Sequence, residues 1–453
     1  MTAVVDVRDA YLADFEEFTH NGARSAPAWL SDMRARAIAR FAERGFPSTH
    51  QEAWRFTNVA PIAERAFSRP PERSGIAAQD LASSTLAGET IRLVIVNGSA
   101  VPELSSVDIP QGLRLGGLKS ALERDPAFAE RHIGRYASID ADPFAALNTA
   151  FLSDGALIHV AQGTRIDRPI ELVFVTAPHD GAGPAALVTH PRALIVLETG
   201  AQATVLEHYV TLADEVYWTN AVSEVTVADG AELEYVRVQR ESRRAFQIAV
   251  THARQGRDSS VRLHPFALGG ALVRHDVQTV LDGPGAELVL NGFYLLRGRQ
   301  HADHHTVIDH AKPHGTSHEF FNGIVGEQAH GVFSGRIIVR PGAQRTDSKQ
   351  TNNNLLLSAD ARADSQPQLE IYADDVKCTH GSTVGPLDET GLYYLRSRGL
   401  SLETAAAMLT YGLAAEILDR VRHEELRRGL ERTIRARLSE RTAGGRRNAG
   451  PGR

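Results

Sequence analysis

From Gly155 to about Thr379 the chain never holds a helical period; it breaks into short β-branched segments separated by Gly, Asp and Pro. Ala156–Val160, Ile170–Val175, Ala193–Leu197, Ala203–Leu206 and Val222–Val227 are such segments. Many short strands in succession exclude a helical bundle. A Gly-Ala pair recurs at Gly200-Ala201, Gly230-Ala231, Gly285-Ala286 and Gly342-Ala343, at spacings of 30, 55 and 57 residues. Those spacings are one or two units of roughly 28 residues, the mark of a chain that stacks one coil on the next. A parallel β-helix satisfies this, because each coil pairs its strands with the previous coil and buries a continuous apolar interior. A β-sandwich is the alternative, and a strand-rich run of this length exceeds one sandwich.

The expected fold class is therefore mainly β, a parallel β-helix (solenoid) core flanked by N-terminal and C-terminal α-helical regions. Residues 1–150 form the N-terminal helical region with a linker and a first strand. Helices are expected over Val7–Phe18 and Pro27–Arg44, the second with Trp29, Met33, Ala37 and Phe41 recurring every four residues. Trp54 and Phe56 read as an anchor for this arm. Residues 66–90 read as linker, Ile91–Val96 as the first strand, and Leu115 to Ala150 as short helices broken at Pro126 and Pro143. The β-helix core is assigned to 151–385, a C-terminal helical domain to 386–440 and a disordered, solvated tail to 441–453. In the helical domain Asp388 and Ser401 stand at expected helix starts, and Ala405, Met408, Leu409, Leu413, Ile417 and Leu418 make an apolar face. These helices follow a solenoid that has no evident need of them.

Composition removes several function classes. A single cysteine in 453 residues forbids an internal disulfide and fits a reducing, cytoplasmic setting. The first residues carry charge every few positions without a basic region and apolar run, which argues against a secretory signal. No apolar stretch approaches the roughly 20 residues that span a bilayer, so no membrane role is expected. A formal charge of −6 with mixed signs gives no reason to expect nucleic acid. The chain has no G-x-x-x-x-G-K-[ST] loop, no G-x-S-x-G elbow and no H-E-x-x-H helix, so nucleotide hydrolysis and the usual hydrolase chemistries lack their residues.

The one cysteine lies in Gln366–Gly385. Leu369, Ile371 and Ala373 alternate with Glu370 and Tyr372, as in a half-buried strand. If the extended run continues, Asp374, Val376, Cys378 and His380 share a face, and the Cys378 thiol and His380 imidazole approach within roughly 7 Å. Thiolate and imidazole together suit a soft metal. The plainer alternative stays open, since a lone Cys is commonly a small buried hydrophobe and a nearby His a hydrogen-bonded surface group. Gly381 is expected to end the run. The densest histidine run, His301-Ala-Asp303-His304-His305, does not match a closed zinc spacing, and His305 faces away from His304 on a strand; a polar ladder or interface role is expected for it.

Gln368-Leu-Glu-Ile-Tyr-Ala-Asp-Asp-Val-Lys-Cys-Thr-His-Gly-Ser-Thr-Val-Gly385, followed by Tyr394-Leu-Arg-Ser-Arg-Gly399, resembles the signature of the SufB/SufD family of iron-sulfur cluster assembly proteins. The likeness extends through Phe333–Arg340, Gln350–Ser358, Asp154-Gly155 and Pro169–Leu172, and covers the His-x-Asp-His stretch at His301–His304. One cysteine and the segment Glu52-Ala-Trp-Arg-Phe-Thr57 favour the SufD branch. The resemblance implies the same β-helix and a scaffold without turnover of its own. It implies a SufB-like β-helix partner and a SufC-like ATPase that hydrolyses the nucleotide and binds the C-terminal helices, with Met408, Leu409, Leu413 and Ile417 as contact candidates. It implies a transient iron-sulfur cluster or iron held at the subunit contact by Cys378 or His380, with no tightly bound cofactor. Alone, the chain could self-pair as a homodimer through the same edge. Two other readings remain: a carbohydrate-active β-helix enzyme with Asp303, His304 or the Asp374-Asp375 pair as acid and base, and a metal-free homo-oligomeric scaffold.

Overall fold

The computed structural model describes residues 7–21, 26–70, 76–84, 86, 88–177, 186–212 and 214–444. Among these, successive strands of the middle region go alternately to two sheets, one of eleven strands and one of ten. Within each sheet the solenoid strands pair in parallel and in register. In the eleven-stranded sheet Leu272 pairs with His301, His301 with His330, and His330 with Arg362. In the ten-stranded sheet Glu232 pairs with Ser260, Glu287, Thr316, Asp347 and Lys377 in turn, a step of 27 to 31 residues. That step is the coil length the glycine spacing predicts.

The turns themselves stack. At one corner the backbone takes a left-handed conformation at Gly200, Gly230, Asp258, Gly285, His314 and Arg345, with φ between 50° and 74°. Each of these amides donates to a carbonyl of the next rung, from Gly200 N to Asp229 O at 2.9 Å through to Arg345 N to Asp375 O at 2.6 Å. Glycine fills the position in three rungs because it has no Cβ to clash. Gly342-Ala343 lies in the same corner but three residues ahead of the left-handed Arg345, so it is not the equivalent of the other three pairs.

Alternation does the rest. Inward side chains include Ile195, Val205, Leu263, Leu290, Ile308, Phe321, Phe333 and Ile337, which join one continuous buried cluster. Toward the C-terminal end that interior turns polar. Ser317 and Glu319, then Ser348, Gln350, Asn352 and Asn354, are buried at inward positions.

Helices cover both outer faces. The helix Ala28–Arg44 buries Met33, Ala37 and Phe41, together with Leu30 and Ile38, and Trp29 is half-buried beside them. With Trp54, Phe144 and Leu147 this arm packs on Trp218, Phe246, Ile248 and Leu272 of the eleven-stranded sheet. The C-terminal helices Leu402–Leu418 and Glu424–Gly444 lay Ala414, Ile417, Leu418, Leu426, Leu430 and Ile434 over Val236, Phe266, Phe293 and Ile324 of the other sheet. The solenoid does need them, because its outer face there is apolar. The last helix runs through residue 441, where a tail is expected, to Gly444; 445–453 lie outside the described residues. Asp388 and Ser401 cap their helices through backbone amides of Thr390, Gly391 and Thr404. The expected linker 66–90 contains the short strand Phe67–Ser68 and a 3-10 turn over Ala78–Ser84, with Leu81 and Leu86 buried.

Candidate metal centre at the open end of the solenoid

The strand Arg362–Ile371 closes the eleven-stranded sheet and Lys377–Gly385 closes the ten-stranded one, each with a neighbour on one side only. Both free edges are at the same end of the molecule. Edge strands present unsatisfied backbone groups and invite pairing with another chain. Apolar side chains are open here too: Ile371, Tyr372 and Val384 are exposed.

Cys378 and His380 belong to this last rung. The run expected to carry them from Leu369 is not one strand: Arg362–Ile371 ends, the chain turns a corner through 372–376, and Lys377–Gly385 starts in the other sheet. Asp374 and Val376 therefore lie in the corner and do not extend the Cys378 face. Gly381 does not stop the strand, which continues to Gly385. Cys378 and His380 remain two residues apart on one strand and share its interior-facing side, since Cys378 pairs with the buried Ser348 and His380 with the buried Gln350. With no further rung above them among the described residues, Cys378 is only half-buried, packed on the edge of the core, and His380 is exposed. Burial, with Asp347 nearby, pushes the Cys378 thiol up, against the pull of the Ser348 backbone. Metal binding there must displace a proton.

Two hydrogen-bonded columns lie beneath these side chains, and sequence reading did not find them. His310 Nε2 is hydrogen-bonded to Ser317 Oγ at 2.9 Å, and Ser317 Oγ to Ser348 Oγ at 2.7 Å, leading to the rung of Cys378. Gln350 Nε2 donates to Glu319 Oε2 at 2.6 Å, leading to the rung of His380. Burial lowers His310 to about 4 and raises Glu319 to about 7. The available signal was the alternation Gln350, Asn352, Asn354 inside a strand-forming run. Among the described residues no three His, Cys, Asp or Glu side chains converge into a metal site. At this rim Cys378 and His380 are the two side chains whose chemistry suits a soft metal.

The histidine run divides between two faces. His304 points inward and stacks on Tyr294, with ring centroids 5.2 Å apart. His301, Asp303 and His305 face the N-terminal arm. Arg274 donates to Asp303 at 2.7 Å, His305 lies 3.2 Å from the same carboxylate, and Thr57 is hydrogen-bonded to both Asp303 and His301. Trp54 covers the Arg274 guanidinium at 3.8 Å. The segment Glu52–Thr57 is thus clamped to the solenoid by a buried charge cluster. Asp303, held low by Arg274 against its desolvation, is buried at 1% exposure and has no proton to give a sugar oxygen. Asp374 and Asp375 are exposed, and Asp375 faces Arg345 at 3.7 Å.

On the C-terminal helices, Ile417 is fully buried under the sheet contact and Leu413 and Leu409 are half-buried, so only Met408 of the four candidates is exposed, at 51%. Tyr393, Tyr394 and Leu402 are exposed around it in sequence. No helix among the described residues is long and apolar enough to cross a membrane.

The family model described as SUF system FeS cluster assembly, SufBD core domain, matches residues 179–413, and that of the SufBD protein N-terminal region matches 5–172. The chain is 33% identical to the iron-sulfur cluster assembly protein SufD of Escherichia coli over 401 residues, 88% of this chain and 90% of that one. It is 32% identical to an iron-sulfur cluster assembly SufBD family protein of Synechocystis, over 86% of this chain and 87% of the relative. The SufD protein of Bacillus subtilis is 27% identical over 96% of this chain and 98% of its own.

Proposed function

Since the chain belongs to the SufBD family of SUF-system iron-sulfur cluster assembly proteins, we propose that it acts as the SufD-type scaffold of a complex with a SufB-like β-helix and a SufC-like ATPase. The observation that carries this is the open rung: two free sheet edges end together, with Cys378 and His380 turned into the space between them. A second β-helix pairing with those edges would continue both sheets and bury Ile371, Tyr372 and Val384.

Iron is the cargo in this scheme, not a resident cofactor. Cys378, protonated when free, supplies a thiolate on losing its proton; His380 supplies a neutral ring nitrogen. Two donors from one chain hold iron incompletely, and the partner or sulfide completes the set. Such a divided site assembles when the subunits meet and loosens when they part, as transfer of a cluster requires. The exposed Met408, Tyr393, Tyr394 and Leu402 form the surface offered to the ATPase, whose nucleotide cycle would drive that movement. The chain itself turns over no substrate, works in the reducing cytoplasm, and pairs with a second copy through the same edges when no SufB-like subunit is present.

Co-expression with SufB-like and SufC-like partners tests the reading. One complex is expected, its iron content falling severalfold with His380→Ala or Cys378→Ser. Full iron content in the double variant would refute it.

A further inference from the structure

The interior amides next to the open rung are nearly all spent. Asn352 Nδ2 donates to Phe321 O at 3.4 Å and its Oδ1 accepts from Asn354 at 2.7 Å; Asn354 Oδ1 in turn accepts from the Tyr294 hydroxyl. Gln350 differs. Its Nε2 is fixed on Glu319, yet its Oε1 is buried without a partner. The residue is 1% exposed, and an aliphatic side chain at this position would avoid leaving a buried acceptor unmet.

Three features bear on where a donor for that oxygen can come from. The amide geometry turns Oε1 away from Glu319, because Nε2 is committed there. Gly335, across the interior, leaves room for the nitrogen side of the amide as it lies on Glu319: a Cβ there would stand 2.2 Å from Gln350 Nε2. The next side chain of the same column is His380, in register with Gln350.

We propose that Gln350 is a positioning residue for His380: its Oε1 accepts one ring N–H of the imidazole, which leaves the other ring nitrogen as the lone pair presented to metal, while Glu319 holds the amide in that orientation. This rests on the reading of His380 as a ligand. A neutral imidazole has one N–H and one lone pair, so an acceptor fixed beneath one nitrogen decides which faces outward. Where Glu319 is ionised, above its raised value of about 7, flipping the amide would set its oxygen against the carboxylate, so the orientation is locked from below there.

The ring tautomer of His380 reads this directly, without iron. In full-length protein carrying 15N-histidine, with the His380 signals identified by their loss in His380→Ala, nitrogen shifts at a pH where the ring is neutral report which nitrogen bears the proton. A single tautomer is expected in the wild type, the two-tautomer mixture of a free imidazole in Gln350→Leu, and a return to the single tautomer in the exchanged pair Glu319→Gln with Gln350→Glu. A free-imidazole mixture in the wild type, or an unchanged single tautomer in a folded Gln350→Leu, would overturn the proposal. Should Gln350→Leu fail to fold, the wild-type spectrum and the exchanged pair still decide it. Loss of iron from His380→Ala complexes is a separate result: a single tautomer with iron retained would sink the ligand reading and leave the positioning contact standing.

Discussion

Ser382 Oγ donates to Ser365 Oγ at 2.8 Å, joining the last strand of one sheet to the last strand of the other across the interior. The final rung is therefore linked across its interior, although among the described residues no further rung lies above it, and Cys378 and His380 belong to that linked rung. The divided metal site proposed above would need such a link, because its second half would come from another molecule.

The free edges predict where association can be broken without unfolding. Val384→Glu and Ile371→Glu put charge on the rim, where both native side chains are exposed. Association with a SufB-like partner should weaken at least about tenfold in sedimentation velocity, while the melting temperature stays close to wild type, as for surface substitutions within about 0.5 kcal/mol.

The C-terminal helices separate docking from packing. Met408→Glu should abolish capture of the ATPase and leave the fold intact. Ile417→Ala removes a fully buried side chain beneath the helix and should cost about 2–5 kcal/mol in chemical denaturation. Equal loss of ATPase capture by a folded Ile417→Ala at low temperature would show that the surface extends further than Met408.

The N-terminal clamp, whose Asp303 lies on the strand two places in from the free edge, predicts a large stability effect. Arg274→Ala leaves the buried Asp303 and Asp276 without their cation and should destabilise the protein by about 3–5 kcal/mol. Differential scanning calorimetry of the isolated chain checks it, and iron content in surviving complexes should be unaffected.

Glu319 makes stability pH-dependent. Its folded value, raised to about 7 by burial, exceeds the unfolded value of 4.5, so the native state holds a proton the unfolded chain releases. Stability contributed by this group is present below about pH 4.5 and lost as pH rises toward 7. Glu319→Gln removes that dependence. Relative to wild type the variant should gain stability between pH 4.5 and 7, by an amount on the order of 3 kcal/mol, in denaturant titrations at several pH values.

Much of this was legible from residue order. The solenoid announced itself through glycine at a left-handed corner, and Gly200, Gly230 and Gly285 do occupy it; the repeat faded where Asp258, His314 and Arg345 adopt the same φ, since composition cannot mark a strained non-glycine. The pairing of Cys378 with His380 on one face followed from a period of two. Its extension back to Asp374 failed because the corner at Tyr372–Val376 contains neither Gly nor Pro and looks like strand. The columns under the rim were hidden for a different reason. Gln350, Ser348 and Glu319 are polar, and polar side chains default to the surface unless a partner outside the local sequence satisfies them.

The most direct measurement is anaerobic reconstitution of the complex with SufB-like and SufC-like subunits, with Mössbauer spectra recorded on wild type, His380→Ala, Cys378→Ser and the double variant. The account predicts that iron-sulfur signal in His380→Ala falls severalfold while the complex elutes with unchanged stoichiometry. Wild-type spectra and wild-type iron content from complexes lacking both side chains would contradict it.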